Sequence, residues 1–211
     1  MRRLWIGLVL MAGCGWLRRG PAQDGVSRAE VWGLALGQST PDDVAAWAAA
    51  RGLSCETQPS PRRQTTRMEC RDGLTPAVLP GRTVNGRVAD LLVAWPDGGR
   101  VHHVSAWRRY SVPADALVDY RTAVEAINAR LGPPTRAMDA PEVSALDAKM
   151  FRFGAAWSRE DLDVRLELTR LGADYVSVSE TWTVPGVEAE VGARTSWGSS
   201  GATKADGDAH P

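Results

Sequence analysis

Three stretches in the second half of the chain alternate apolar residues with polar or small ones, and Glu180 is the one acid on an apolar parity. Phe151, Phe153, Ala155 and Trp157 fall on one parity, as do Leu162, Val164, Leu166 and Leu168, and then Val176, Val178, Trp182 and Val184. Successive side chains on a strand point to opposite faces, so each stretch has one apolar face and one polar face. The turn segments Ser158–Asp161 and Leu171-Gly172-Ala173-Asp174 separate them. Such alternation describes antiparallel strands with one solvated side.

A helix precedes these strands. Ser111 and Pro113 open it, and Leu117, Tyr120, Val124, Ile127 and Leu131 recur at intervals of three and four, a single buried stripe. Gly132-Pro133-Pro134 stops it, and a short segment near Thr135–Met138 leads through a polar loop to the first strand. The first half has the same order. Thr40 caps a helix, Pro41 suits its first turn, Asp43 stands three residues after the cap, and Val44, Trp47 and Ala48 form the apolar face before Arg51-Gly52 closes it. Asp42 and Asp43 therefore read as capping residues rather than as a catalytic acid pair. Leu53–Thr57 and Thr65–Cys70 form a hairpin turning at PSPRRQ. The Pro- and Gly-containing loop Asp72–Arg87 follows. Val88–Trp95 and Val101–Tyr110 then flank the turn Pro96-Asp97-Gly98-Gly99. The expected fold is α+β, two helices packed on one face of a broad antiparallel sheet. It reads as two tandem helix-plus-four-strand units, 29–110 and 111–184. The halves share the order of elements and little residue identity, so a duplication rests on that order alone.

The start of the chain has another character. Arg2 and Arg3 precede the apolar run Leu4–Gly13, which is too short for a membrane span of roughly 20 residues and fits the core of an export signal. The run ends Met11-Ala12-Gly13-Cys14, which resembles the lipobox of bacterial lipoproteins, with Met11 in the place usually held by Leu. The resemblance implies a signal peptide over residues 1–13, a mature chain beginning at Cys14 and a lipid on Cys14. Gly15, where an Asp would signal retention, implies the outer membrane. The other reading is an ordinary secretory signal cut near Ala22, with Cys14 discarded. Residues 14–28 read as a flexible tether reaching about 20 Å. Residues 185–211 lack periodicity and read as a disordered tail.

With Cys14 lipidated, Cys55 and Cys70 remain as an even pair in an oxidising compartment. The hairpin puts them opposite each other, so a disulfide is expected; no CxxC and no nearby His favours a metal. The run Leu36-Gly37-Gln38-Ser39-Thr40 with Asp43-Val44 also resembles the Gly-x-[ST]-x-x-x-Val helix start of BamE/SmpA-type outer-membrane lipoproteins, and the doubled order of elements is similar to the wider beta-lactamase-inhibitor-like group. Those proteins have two helices per unit and a shorter chain.

The remaining residues offer little chemistry. The 211-residue chain carries 25 basic and 25 acidic side chains, a balance that argues against nucleic acid as a partner. His102 and His103 are strand neighbours on opposite faces and cannot share a metal; one is expected at the core edge and one in solvent. No Ser lies in a GxSxG elbow, and no Gly-rich stretch is a phosphate loop. Asp161 and Asp163 flank a turn without the ligand count a Ca²⁺ site needs. Glu180 falls by alternation on the inward face, where an unpaired carboxylate is costly. A bulge turns it out, an Arg meets it, or it lines a pocket. Arg62, Arg63, Arg67 and Arg71 cluster on the hairpin, and Arg108, Arg109 and Tyr110 end a strand. These are solvated faces or patches for anionic lipid or an acidic partner.

These features lead to a non-enzymatic, lipid-anchored envelope protein. It faces the periplasm from the outer membrane, binds no cofactor or metal, and presents an interaction module to a protein partner as an accessory or assembly factor. The alternatives are a ligand-binding module or inhibitor of an envelope enzyme, with a cleft lined by Trp95, Trp107 or Trp157, and a hydrolase using Glu180.

Overall fold

The computed structural model describes residues 30–60, 64–71, 90–138, 141–171 and 174–185. The leader with Cys14, the whole tether over 14–28, the loop expected over 72–87, Arg62 and Arg63, and the tail from 186 lie outside the described residues.

The described chain opens with a two-residue hairpin, β1 (Glu30–Val31) and β2 (Leu34–Ala35). Trp32 and Gly33 make its turn, both with positive φ, and only glycine takes φ +93° at the second position without strain. Helix α1 (Pro41–Ala50) follows with the expected capping box. Asp43 N–H donates to Thr40 Oγ1, and Thr40 N–H donates to the Asp43 carboxylate. Those contacts hold the Asp43 carboxyl below the ordinary carboxylate value. Val44, Trp47 and Ala48 are the buried residues, as the spacing requires.

Next come β3 (Cys55–Ser60), β4 (Thr65–Cys70), β5 (Leu91–Pro96) and β6 (His103–Tyr110), then helix α2 (Pro113–Leu131), the short strand β7 (Arg136–Ala137), a 3-10 turn over Val143–Asp147, β8 (Met150–Ser158), β9 (Asp163–Leu171) and β10 (Val176–Thr183). The last eight strands form one antiparallel sheet in the order β3-β4-β5-β6-β10-β9-β8-β7. The final strands of the two halves, β6 and β10, meet along its middle.

The register assigns the two faces. Cys70 opposes Leu91, Leu91 opposes Ala106, Glu180 opposes Ala106, Leu166 opposes Glu180 and Ala155 opposes Leu166, and residues directly opposite share a face. This inner face joins Val44 and Trp47 of α1, Leu117, Tyr120 and Ile127 of α2, and Val31 and Leu34 of the hairpin in one core. On the outer face the buried apolar cluster contains only sheet residues, Leu92 and Ala94 with Trp107 against them. The architecture of the described residues is α+β: two helices and a large antiparallel sheet with one disulfide.

Several boundaries and environments differ from expectation. The first strand of the disulfide hairpin starts at Cys55 and runs through Pro59, which an edge strand tolerates. Helix α2 is capped by Val112 with no side-chain hydrogen bond, so Ser111 plays no capping role. Ala116, Asp119 and Ala123 of α2 are buried with Leu117, Tyr120 and Ile127, while Val124 and Leu131 are only partly buried. Glu167 falls on the outer parity of β9 but is buried, and Arg152 Nη2 donates to it across the strands at 2.6 Å.

Candidate functional site

Alternation along β6 carries Val104, Ala106, Arg108 and Tyr110 inward, and alternation along β10 carries Val176, Val178, Glu180 and Trp182 inward. On α2, Asp119 stands three residues after Ala116 and four before Ala123, on the helix face turned to the sheet. These elements bring three charged side chains together in the core. Arg108 Nε donates to Asp119 Oδ2 at 2.6 Å, and Arg108 Nη2 lies 3.7 Å from Glu180 Oε2. Both Arg108 and Glu180 are 0% exposed. Trp182 Nε1 donates to Glu180 Oε1 at 2.8 Å, and the Arg130 guanidinium stacks over the Trp182 ring at 5.0 Å. Arg130 also donates to the Glu30 carbonyl, tying α2 to β1.

The electrostatics follow from that arrangement. Burial by itself pulls the Arg108 guanidinium down; the carboxylates of Asp119 and Glu180 outweigh it and hold Arg108 above its ordinary value. Burial, then the Asp119 carboxylate, pushes the Tyr110 phenol up. Glu180 thus meets an Arg: no bulge carries it out of the sheet. Arg108 and Tyr110, grouped with Arg109 in a surface patch by sequence, are buried. Of that trio only Arg109 is exposed, where it pairs with Asp90 at 3.1 Å and stacks on Tyr175. Arg67 and Arg71 both reach Glu69, at 3.2 and 3.9 Å, so these two arginines share one carboxylate of their own hairpin.

The two histidines occupy opposite faces, but neither is in solvent. His102 lies on the inner face, and burial lowers its pKa. His103 lies on the outer face between Ser105 and Thr183; its Nε2 is 3.0 Å from Ser105 Oγ and its Nδ1 3.2 Å from Thr183 Oγ1. Burial, and then neighbouring His102, push His103 down to about 3. A Ser–His contact is the start of a nucleophile–base pair, yet this Ser is fully buried and the third group is a hydroxyl, which gives an imidazolium no carboxylate to rest on. The trio is a buried hydrogen-bond chain. Trp95 and Trp157 lie in the inner core and Trp107 on the outer face, so they do not line one cleft.

Cys55 and Cys70 are bonded across β3 and β4, as their register dictates. Among the described residues no three His, Cys, Asp or Glu side chains converge as a metal site, and no helix is long and apolar enough to cross a membrane. Sequence reasoning missed Asp119. Its signal was there: Ala116, Asp119, Ala123 and Ile127 form a second stripe at helical spacing, with an acid among small apolar residues. No protein-family model matches the chain, and neither a curated protein nor a solved structure does.

Proposed function

We propose that the chain is an exported lipoprotein, attached through a lipid on Cys14 to the outer membrane and facing the periplasm. There it presents its α+β domain to a protein partner as an accessory or assembly factor, with no catalysis of its own. The Cys55–Cys70 disulfide carries the reading, because such bonds persist in oxidising compartments and the leader before Cys14 is built for export to one. The lipobox-like Met11-Ala12-Gly13-Cys14 supplies the anchor, and two or three acyl chains on one cysteine suffice for stable attachment. The BamE/SmpA-like helix start is in keeping with an assembly role.

Intact mass of the membrane-fraction protein beside a Cys14→Ala variant tests the anchor. A lipid-sized addition to a chain beginning at Cys14, absent in the variant, is the expected result, and crosslinking in the outer membrane then identifies the partner. A soluble, unacylated chain cut near Ala22 would remove the anchor and with it the assembly role.

We also infer that the domain is two α-β₄ units joined at β6 and β10. The strand order supports this, since each half contributes a helix followed by a four-strand meander, and the two fourth strands pair antiparallel. Residues 29–110 and 111–184, co-expressed as separate chains, are expected to associate into one sheet. Halves that fold and stay apart would count against the reading.

A further inference from the structure

Strand β3 is one of the two outer strands of the large sheet, and among the described residues no strand pairs with its second edge. The register says which groups that edge presents. Cys55 and Cys70 stand directly opposite each other with Cα atoms 4.0 Å apart, the close spacing of a non-hydrogen-bonded antiparallel pair. Their backbone N–H and C=O groups therefore turn away from each other, and the same holds at every second residue along β3. Cys55, Thr57 and Pro59 thus point these groups to the open side, where Pro59, having no N–H, takes nothing from the ladder with β4. None of the three has a backbone partner on that side among the described residues. Thr57 and Pro59 share the parity of the inner face and are exposed, so neither helix covers this end of the sheet. Glu56, also exposed, stands directly opposite Glu69, a like-charge pair. Arg67 and Arg71 both go to Glu69, and no cation among the described residues reaches Glu56.

We propose that β3 is a self-recognition edge: a second copy of this chain pairs with it antiparallel, across a two-fold axis at Thr57, and joins two sheets into one. Complementarity selects a second copy as the occupant. With Thr57 against its own counterpart, the two exchange both N–H···O bonds, and each Cys55 N–H donates to the Pro59 carbonyl of the other copy. The N–H that Pro59 lacks is then missed at the ends of the pairing and not in its middle. Thr beside Thr is also a favourable cross-strand pair. On the other face, Glu56 meets Gln58 of the other copy, the residue whose Oε1 accepts from Arg67 Nη2 at 3.0 Å. Each acid left without a cation thus comes to the basic side of its neighbour. An axis at Glu56 would set two carboxylates face to face, and an axis at Gln58 would pair each Thr57 with a Pro59 that cannot donate back. A contact one strand wide lies at the low end of specific interfaces, so association is weak and reversible. It does not depend on the lipid anchor.

Sedimentation velocity of residues 15–211, disulfide intact, from about 10 μM to about 1 mM, tests it. A reversible monomer–dimer equilibrium is the expected result. Thr57→Pro removes the central donors without touching the β3–β4 ladder, as Pro59 already shows, and should leave the chain monomeric throughout. Glu56→Arg keeps the test decisive if that variant fails to fold. It sets an Arg against Gln58 and Arg67 of the other copy and should weaken the dimer about tenfold. In the single chain the same Arg faces Glu69 and should raise the denaturation midpoint, so damage to the fold cannot imitate the result. A chain still monomeric at about 1 mM, or a dimer that survives either substitution, would overturn the proposal.

Discussion

Each half of the sheet follows one helix along the chain, and the two halves are secured by different means. Helix α1 spans ten residues under a complete capping box, and its strands include a disulfide-bonded hairpin. Helix α2 spans nineteen residues with no side-chain cap, and a buried ion pair to β6 fixes it. The devices of the first half act within a single helix start and a single hairpin: Thr40 to Asp43, Cys55 to Cys70. Those of the second half join the helix to other elements, from Asp119 to Arg108, from Arg130 to Glu30, and from Asn128 and the Gly132 carbonyl to Trp157 Nε1. A short helix with a narrow apolar face profits most from local reinforcement. A longer one can bury a polar group if the sheet supplies its partner.

That contrast breaks most visibly at Arg108. Arg108→Met leaves Asp119 and Glu180 in the core without their shared cation, and a loss of about 3–5 kcal/mol is expected in a urea titration. Adding Asp119→Leu and Glu180→Gln to the same chain should restore much of it, because the cost lies in unpaired buried charge rather than in the missing contact. A triple variant as unstable as the single one would refute that account.

The first half should answer to redox conditions instead. Cys55→Ser with Cys70→Ser opens a loop of 15 residues' separation, and the chain-entropy relation gives a loss of about 3 kcal/mol. The same fall on reduction of the native chain would assign the effect to the bond. If stability were indifferent to reductant, β3 and β4 would be held by pairing alone.

At the seam between the halves, acid is the probe. His103 takes up a proton at about 3 when folded and near 6.5 when unfolded, so between those values the unfolded chain binds more protons. Stability therefore falls as pH drops below about 6.5, by about 2 kcal/mol at pH 5 from this residue, and His102 acts in the same direction. His103→Gln should flatten the stability–pH curve over pH 7 to 5. A slope equal to the wild type's would mean that His103 is not the group responsible.

The smallest expected effect is local to α1. Thr40→Ala removes one half of the capping box and should cost about 1 kcal/mol, read as a small shift in the denaturation midpoint. An equal loss from Ser111→Ala at the start of α2 would show that the two helix starts are more alike than their hydrogen bonds indicate.

Much of the fold is legible because it obeys local periodicity. The alternating runs ending at Trp157, Leu168 and Val184 predict β8, β9 and β10, and Pro96-Asp97-Gly98-Gly99 predicts the turn between β5 and β6, closed by Gly99 N–H on the Pro96 carbonyl. The candidate site is less legible. Parity put Glu180 inside, but parity also put Arg108 inside, and a reading of neighbouring arginines as a patch set that aside. Strand β5 is buried on both faces from Leu91 through Trp95, which strict alternation does not announce but the unbroken apolar run Leu91-Leu92-Val93-Ala94-Trp95 does.

By itself the sequence determines which segments form helices and strands, which face of most of them is apolar, and which cysteine opposes which, since steric preference, capping and side-chain period act within a few residues. Only the tertiary structure decides that β6 and β10 pair at the centre of the sheet. That pairing brings Arg108 within reach of Asp119 and Glu180, and buries both histidines. Those outcomes depend on desolvation and charge pairing between residues as far apart as 108 and 180, and such energies exist only once the chain has closed around them.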